Sequence, residues 1–308
     1  MTTMELKGFL DLHTHGIGKY DTRTNNASDL LKVADLHGRA GTDALCFAIY
    51  AGPVDVMRQN IDAVRKAIEL QKKEAGRQHF SGEKVKSQAT IVGVHLEGPF
   101  LNPHHCGSLD KKEFIKPSIS RLKRLLDGNE DLIKVMTIAP EISGALKVIE
   151  KCSELGIKIN MGHSDASYDE ALEAKKAGAT GITHLFNAMR PFHHREPGLA
   201  GFGLLDEDIY IEVIADGVHL HPRTLELIFN RKRLDRIILV SDTVKGLVRQ
   251  SKAYGGKAVF DARGILAGSG ITISDAVELL REIGVPDAEI TEAATDNPAR
   301  YIGLGANC

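Results

Sequence analysis

Two short pairs in this 308-residue chain set imidazole and carboxylate groups two positions apart: His13 with His15, and His95 with Glu97. Residues at i and i+2 of an extended strand point to the same side, so each pair presents its two groups together. His163, His184, His219 and Asp242 add four more such groups, each at the end of a short apolar run or just after it. Neutral imidazoles and carboxylates are the donors that Zn²⁺ or Fe²⁺ takes. An ion so held, with one coordination position open, activates water for hydrolysis. The remaining seven of the 13 histidines (His37, His79, His104, His105, His193, His194 and His221) fall in helical stretches or long loops.

The apolar runs are the elements that must position these groups. They are 8–11 (GFLD), 44–50 (ALCFAIY), 91–96 (IVGVHL), 133–139 (IKVMTIA), 157–161 (IKINM), 181–185 (GITHL), 210–215 (YIEVIA) and 236–240 (RIILV). Each is short, rich in Ile and Val and bounded by turn residues, the pattern of a buried parallel strand. Amphipathic stretches separate them. One at 27–41 has Asn26 or Ser28 as its cap and Gly41 as its stop; others lie at 54–74, 143–155, 167–177 and 221–233, the last with Pro222 in its first turn. Two more, at 273–283 and 288–301, follow the eighth run. Eight strand–helix alternations predict an α/β fold, a (β/α)8 TIM barrel. A doubly wound open sheet is the competing architecture, but no GxGxxG follows the first strand. Catalytic groups of such barrels come from the C-terminal strand ends. There, six histidines and two acids meet: His13 and His15 from strand one, His95 and Glu97 from three, His163 from five, His184 from six, His219 from seven and Asp242 from eight.

At about 150 residues per domain the length suggests two domains, yet eight strand–helix units use up the chain, and a single barrel domain over 1–308 is expected. With 39 basic and 41 acidic residues the net charge is -2, which favours neither a nucleic-acid nor a membrane partner. No stretch of 18 apolar residues exists to span a bilayer, and the first 12 residues mix acid and base unlike a signal peptide. A cytoplasmic protein is expected. Cys46, Cys106, Cys152 and Cys308 form no CxxC pair, so they read as free thiols, not as a disulfide framework or a zinc finger.

Ten segments, in order, resemble the amidohydrolase superfamily and, within it, the N-acetylglucosamine-6-phosphate deacetylase branch. They are FLDLHTHG (9–16), HLEGPFLNP (95–103), TIAPE (137–141), MGHSDA (161–166), THLFNAM (183–189), REPGLAG (195–201), ADGVHL (215–220), LVSD (239–242), LAGS (266–269) and DNPAR (296–300). The resemblance implies a metal-dependent deacetylase of N-acetylglucosamine 6-phosphate, acting in amino-sugar breakdown. Glu97, His163 and His184 would bind the principal metal. His13 and His15 match the superfamily's second-metal pair, which allows one or two divalent ions per chain, zinc or iron. Asp242 matches the strand-eight aspartate that takes a proton from the activated water and passes it to the leaving amine. Asn187, Ala188 and His219 match substrate contacts. Arg195 matches a phosphate-binding arginine supplied by a neighbouring subunit, which implies a homodimer; a guanidinium grips phosphate bidentately and stays charged.

Two departures from that pattern stand out. Many relatives carry a histidine after a Gly-small dipeptide, where it polarises the acyl carbonyl; this chain has Leu109 after Gly107 and Ser108, and leucine donates no hydrogen bond. The metal alone would then stabilise the oxyanion, or His104 or His105 would substitute, or the substrate would be a different amide or a deaminase target. The second departure is architectural: the small β-sandwich of related deacetylases has no place in a chain whose first strand begins by residue 8, and a bare barrel is expected. A non-catalytic sugar-phosphate-binding barrel is the remaining alternative.

Overall fold

In the computed structural model, which describes residues 8–81, 88–250 and 256–304 and the side chains of all of these except 75–81, the eight runs become eight parallel strands. They are β1 (Phe9–Thr14), β2 (Thr42–Tyr50), β3 (Thr90–Glu97), β4 (Ile133–Ile138), β5 (Lys158–Met161), β6 (Ala179–Ile182), β7 (Tyr210–Val213) and β8 (Ile237–Leu239), hydrogen-bonded in chain order. The end of β8 returns to β1: Asp242 N donates to His13 O at 2.8 Å, and His15 N to Thr243 O at 2.8 Å. The arrangement is the (β/α)8 barrel expected from the alternation.

Alternation along each strand sends neighbours to opposite faces. In β3, Val94 and Leu96 join a large core with Val64, Ile149 and Leu225 of the surrounding helices, while His95 and Glu97 face the other way. A second apolar cluster, with Ala44, Cys46, Val135, Ile238 and Val240, includes Tyr301 near the C-terminal end of the chain. Helices follow the predicted stretches closely: α1 (Ala27–Arg39), α2 (Val54–Ser81), α4 (Ala145–Glu154), α5 (Tyr168–Lys176), α7 (Pro222–Arg231) and α8 (Ile273–Glu282). Asn26 caps α1, accepting from Ser28 N, and Ser167 with Glu170 closes a capping box on α5.

Two helices lie outside the predicted stretches, the first amphipathic but short and the second buried almost throughout. In α3 (Ile119–Leu126), capped by Ser118, only two turns form. In α6 (Gly198–Leu205), GLAGFGLL is buried on all sides but its last residue, so no polar face marks a helix. The predicted 288–301 helix is interrupted: α9 (Asp287–Thr291) and α10 (Asn297–Ile302) are joined by a π turn at Glu292–Asp296. A three-stranded antiparallel sheet, formed by Arg249–Gln250, Lys257–Phe260 and Leu266–Ser269, lies between β8 and α8 in the chain, where sequence periodicity indicated nothing. Cys46 and Cys152 are buried free thiols and Cys106 a half-buried one; Cys308 and the first seven residues lie outside the described residues. No helix among the described residues is long and apolar enough to cross a membrane.

Candidate active site

Glu97 ends β3 and sits at the centre of a ring of nitrogens. Its Oε1 is 3.0 Å from His163 Nε2 and 3.3 Å from His184 Nε2, and its Oε2 is 3.3 Å from His15 Nε2. Asp242 Oδ1 lies 3.6 Å from Nε2 of both His13 and His15. Two groups of donors face the barrel mouth, Glu97 with His163 and His184, and His13 with His15 and Asp242, and a third, His13 with His95 and Glu212, lies with them; within each, the ligand atoms lie within 4.8 Å of one another.

Several features mark the ring as a cation site. His13 and His15 set their Nε2 atoms 3.2 Å apart, as do His163 and His184. As neutral imidazoles these four rings turn nitrogens toward one another and toward two carboxylates, a donor set that a cation would suit. His163 Nδ1 donates to His105 O at 2.8 Å, which leaves the lone pair on Nε2. His13 Nδ1 is 3.1 Å from Glu212 Oε2. His15 stacks on Tyr50 with centroids 3.7 Å apart, and the Arg23 guanidinium lies over the same tyrosine ring. Nδ1 of His15 and of His184 have no partner, so their rings are placed by packing. The donor set fits one or two divalent ions.

Backbone strain coincides with these positions. His163, His184 and Asp242 all have positive φ, at 47°, 30° and 47°, a left-handed conformation that costs non-glycine residues about 1–3 kcal/mol each. Loop hydrogen bonds hold them there: Asn102 N donates to His163 O, Asn187 N to His184 O and Ser269 N to Asp242 O, all at 2.9 Å. Each of the three lies two or three residues past its strand, so the turn itself aims the side chain into the barrel mouth.

Electrostatics divide the two acids. Burial opposes ionisation of Glu97, but the imidazoles of His15 and His163 hold its carboxyl well below the usual range. Burial, and then the negative charges of Glu97 and Glu212, push Asp242 well above it. Burial also keeps His13 and His184 neutral, with their pKa values lowered, as metal ligands require. The same surroundings thus favour the ionised form of Glu97 and oppose it at Asp242.

The cavity over the ring is lined by His15, Glu97, His163, His184 and Asp242, and also by Asn187, Ala188, His219, Tyr50, Leu109 and Ala267. His219 Nδ1 is 2.6 Å from Asp216 Oδ2. Asn187 Nδ2 donates to the carbonyls of His184 and Leu185. Leu109 packs against Tyr50, Val244 and Val259, so the wall where a polarising histidine was missing is apolar. Neither His104 nor His105 lines the cavity; the His105 ring turns to Asp165 Oδ1 at 3.0 Å. Arg195 is exposed, with Nη1 3.2 Å from His194 Nε2, and does not line the cavity of its own chain. His95 lies beneath the ring, with Nδ1 on Leu12 O and Nε2 on Thr137 Oγ1; burial pulls it down to about 3.

Other quoted segments prove to be scaffolding. Glu141 of TIAPE accepts from Asn102 Nδ2, Ser164 Oγ and Asp165 N, tying together the loops after β3, β4 and β5. Asn297 of DNPAR donates to Leu234 O and Ile237 O at the start of β8. Sequence reasoning passed over Glu212, Asn160 and Tyr50. For Glu212 the signal was available: a carboxylate inside an otherwise apolar strand.

Comparison with known proteins places this geometry among relatives. The model of the Amidohydrolase family matches residues 6–307. An N-acetylglucosamine-6-phosphate deacetylase of Lysinibacillus sphaericus is 33% identical over 97% of this chain and 76% of its own length. An N-acetylgalactosamine-6-phosphate deacetylase of Escherichia coli is 30% identical over 96% of this chain and 77% of its own. Among solved structures, the N-acetylglucosamine-6-phosphate deacetylase of Thermotoga maritima superposes with a TM-score of 0.81 at 27% identity, covering 96% of this chain and 78% of that one.

Proposed function

This chain belongs to the amidohydrolase family, and from that membership and its donor ring we propose that it deacetylates N-acetylglucosamine 6-phosphate to glucosamine 6-phosphate and acetate. The observation that carries the proposal is the pairing of two donor groups around Glu97 with a basic, strained Asp242 at their edge. Glu97, His163 and His184 hold one ion, zinc or iron. His13 and His15, with Asp242 beside them, hold a second. Ions so bound would acidify a water and polarise the acyl oxygen.

The chain's own residues do the rest. Asp242 takes a proton from the attacking water and returns it to the amine nitrogen as the C–N bond breaks. Asn187 and Ala188, in the loop beyond β6, bound the sugar's side of the cavity. His219 gives its Nδ1–H to Asp216, which leaves Nε2 for a substrate oxygen. Arg195 binds the phosphate of a neighbouring active site in a homodimer. Its exposure, and its absence from the lining of its own chain's cavity, support a role in trans. Leu109 with Tyr50 and Val244 offers an apolar wall for the acetyl methyl group, so carbonyl polarisation falls to the ions.

The relationship to a galactosamine-type deacetylase favours a second reading in which the 4-epimer is the preferred substrate. Acetate release from both N-acetylhexosamine 6-phosphates, with zinc or iron supplied, tests the two together. Release from the gluco form at the higher kcat/KM is expected. A metal-loaded protein that releases acetate from neither would refute the assignment.

A further inference from the structure

Neither the Glu97–His163–His184 group nor the His13–His15–Asp242 group draws on β7, yet that strand fixes how His13 is presented. Glu212 is buried on β7, 1% exposed. Its Oε2 takes His13 Nδ1 at 3.1 Å, and its Oε1 accepts from Asn160 Nδ2 at 2.8 Å. Asn160 Oδ1 in turn accepts from the Tyr301 hydroxyl at 2.5 Å, and Thr180 Oγ1 stands 3.0 Å from that hydroxyl. The polarity of this chain is set at its Glu212 end: an ionised carboxylate only accepts, so Asn160 turns its N–H to Glu212 and its oxygen to Tyr301, whose hydroxyl then donates. Gly181 leaves the space: a Cβ there would lie 2.2 Å from Asn160 Oδ1 and 2.6 Å from the Tyr301 hydroxyl.

We propose that Glu212 is the positioning residue that makes the His13–His15 pair a working second metal site. The proposal rests on the two-ion reading above. A neutral imidazole has one lone pair, and the partner of the other nitrogen decides where it sits. With Nδ1–H on Glu212, the lone pair of His13 stands on Nε2 and faces His15, Glu97 and Asp242. Glu212 has to accept on both oxygens, from His13 on one side and Asn160 on the other. Only a carboxylate can do so. A glutamine of the same shape accepts on one oxygen alone. The Tyr301–Asn160 bond, with Thr180 Oγ1 free to donate to the same hydroxyl, favours giving that oxygen to Asn160, so that the NH2 group faces His13 Nδ1. The imidazole then turns to the other tautomer, with its proton on Nε2, and the ligand is lost. His163 has a backbone carbonyl, that of His105, in the equivalent place, so the first site does not depend on Glu212.

The test is stepwise zinc titration of chelator-stripped protein against a competing indicator, with metal analysis after gel filtration. Wild type binds two ions per chain, and His13→Ala identifies which step is the second. Glu212→Gln weakens that step about 10–100-fold and leaves the first within threefold. Adding Tyr301→Phe, which frees the Asn160 amide to turn over and accept, returns part of the loss. A purely structural defect would weaken both steps and recover neither. Wild-type affinity in Glu212→Gln, equal loss at both sites, or a selective loss that Tyr301→Phe leaves untouched each overturns the proposal. Wild type binding one ion overturns it while leaving the deacetylase reading in place, and wild type binding none overturns both.

Discussion

Asp242→Asn separates proton transfer from every other function of this site. Asparagine keeps the side chain's shape and tolerates the left-handed backbone at φ 47°, so the bonds from Asp242 N to His13 O and from Ser269 N to Asp242 O survive. What goes is the acceptor. General acid–base groups contribute about 10²–10⁴ in rate, which at ~1.4 kcal/mol per decade is about 3–5 kcal/mol of barrier. Asp242 Oδ1 is also 3.6 Å from the Nε2 atoms of His13 and His15, so ion content has to be measured in the same samples. The assay is kcat for acetate release at saturating substrate, at matched metal occupancy. Asp242→Ala supplies the control for strain. Its kcat should fall equally far, while its unfolding free energy drops by the ~1–2 kcal/mol that alanine loses in a left-handed conformation, read as a lower Tm. Turnover of Asp242→Asn within tenfold of wild type at full metal occupancy would refute the assignment, as would a loss that excess metal restores.

Arg195→Ala should raise KM for the phosphorylated substrate about 10–100-fold, the worth of a charge-assisted contact, and leave KM for unphosphorylated N-acetylglucosamine unchanged; parallel kinetics on the two sugars decide it. Acid should destabilise the fold through His37, which is buried, holds only Thr14 Oγ1 through Nε2, and is pulled down to about 4 by burial. The unfolded chain binds this proton below its ordinary 6.5 and the folded chain does not until about 4. Stability is therefore lost as pH falls through that window, by about 2 kcal/mol at pH 5; denaturant titrations at pH 7 and 5 should show this increment in wild type and not in His37→Gln. Removing metal with a chelator should lower Tm, since an ion at a thousand times its Kd stabilises by about 4 kcal/mol; calorimetry with and without zinc checks it, and an unchanged Tm would count against a resident ion. Asn297→Ala should destabilise by about 2–3 kcal/mol by orphaning two carbonyls, those of Leu234 and Ile237, with kcat unchanged in the protein that remains folded.

The barrel was legible because its strands are buried on both faces, and such strands announce themselves as short Ile- and Val-rich runs. Polar residues at their ends then stand out by type. That contrast picked out eight groups, the family resemblance chose His13, His15, Glu97, His163, His184 and Asp242 from among them, and these six meet within a few ångströms. The same contrast fails where burial is uniform. Leu199, Phe202 and Leu204 of α6 share their helix with three glycines and no charge, so neither period nor face is visible. It fails again where a helix changes pitch, as at Glu292–Asp296, because a π turn shifts the period by one residue without any marker.

Partnership is the harder quantity to read, because it is settled between residues far apart in the chain. Asp11 shows this: within FLDLHTHG it looks like one more candidate ligand. Yet its carboxylate accepts from Ser241 Oγ and from the backbone of Ser241 and His13, and burial pushes it up to about 7. It seals β1 to β8 rather than facing the cavity. His95 and Glu97 are two positions apart on one strand, and one ends against Leu12 O and Thr137 while the other meets three imidazoles. Their residue types do not separate them; depth in the barrel does, and depth is set by the stagger between strands. The left-handed turns at His163 and Asp242 follow the same logic, since their carbonyls accept from Asn102 N and Ser269 N, far away in the chain, whereas that at His184 is closed locally by Asn187 N. The donor ring is therefore a property of the closed barrel: a substitution that loosens the loops, at Glu141 for instance, should scatter the ligands without touching one of them.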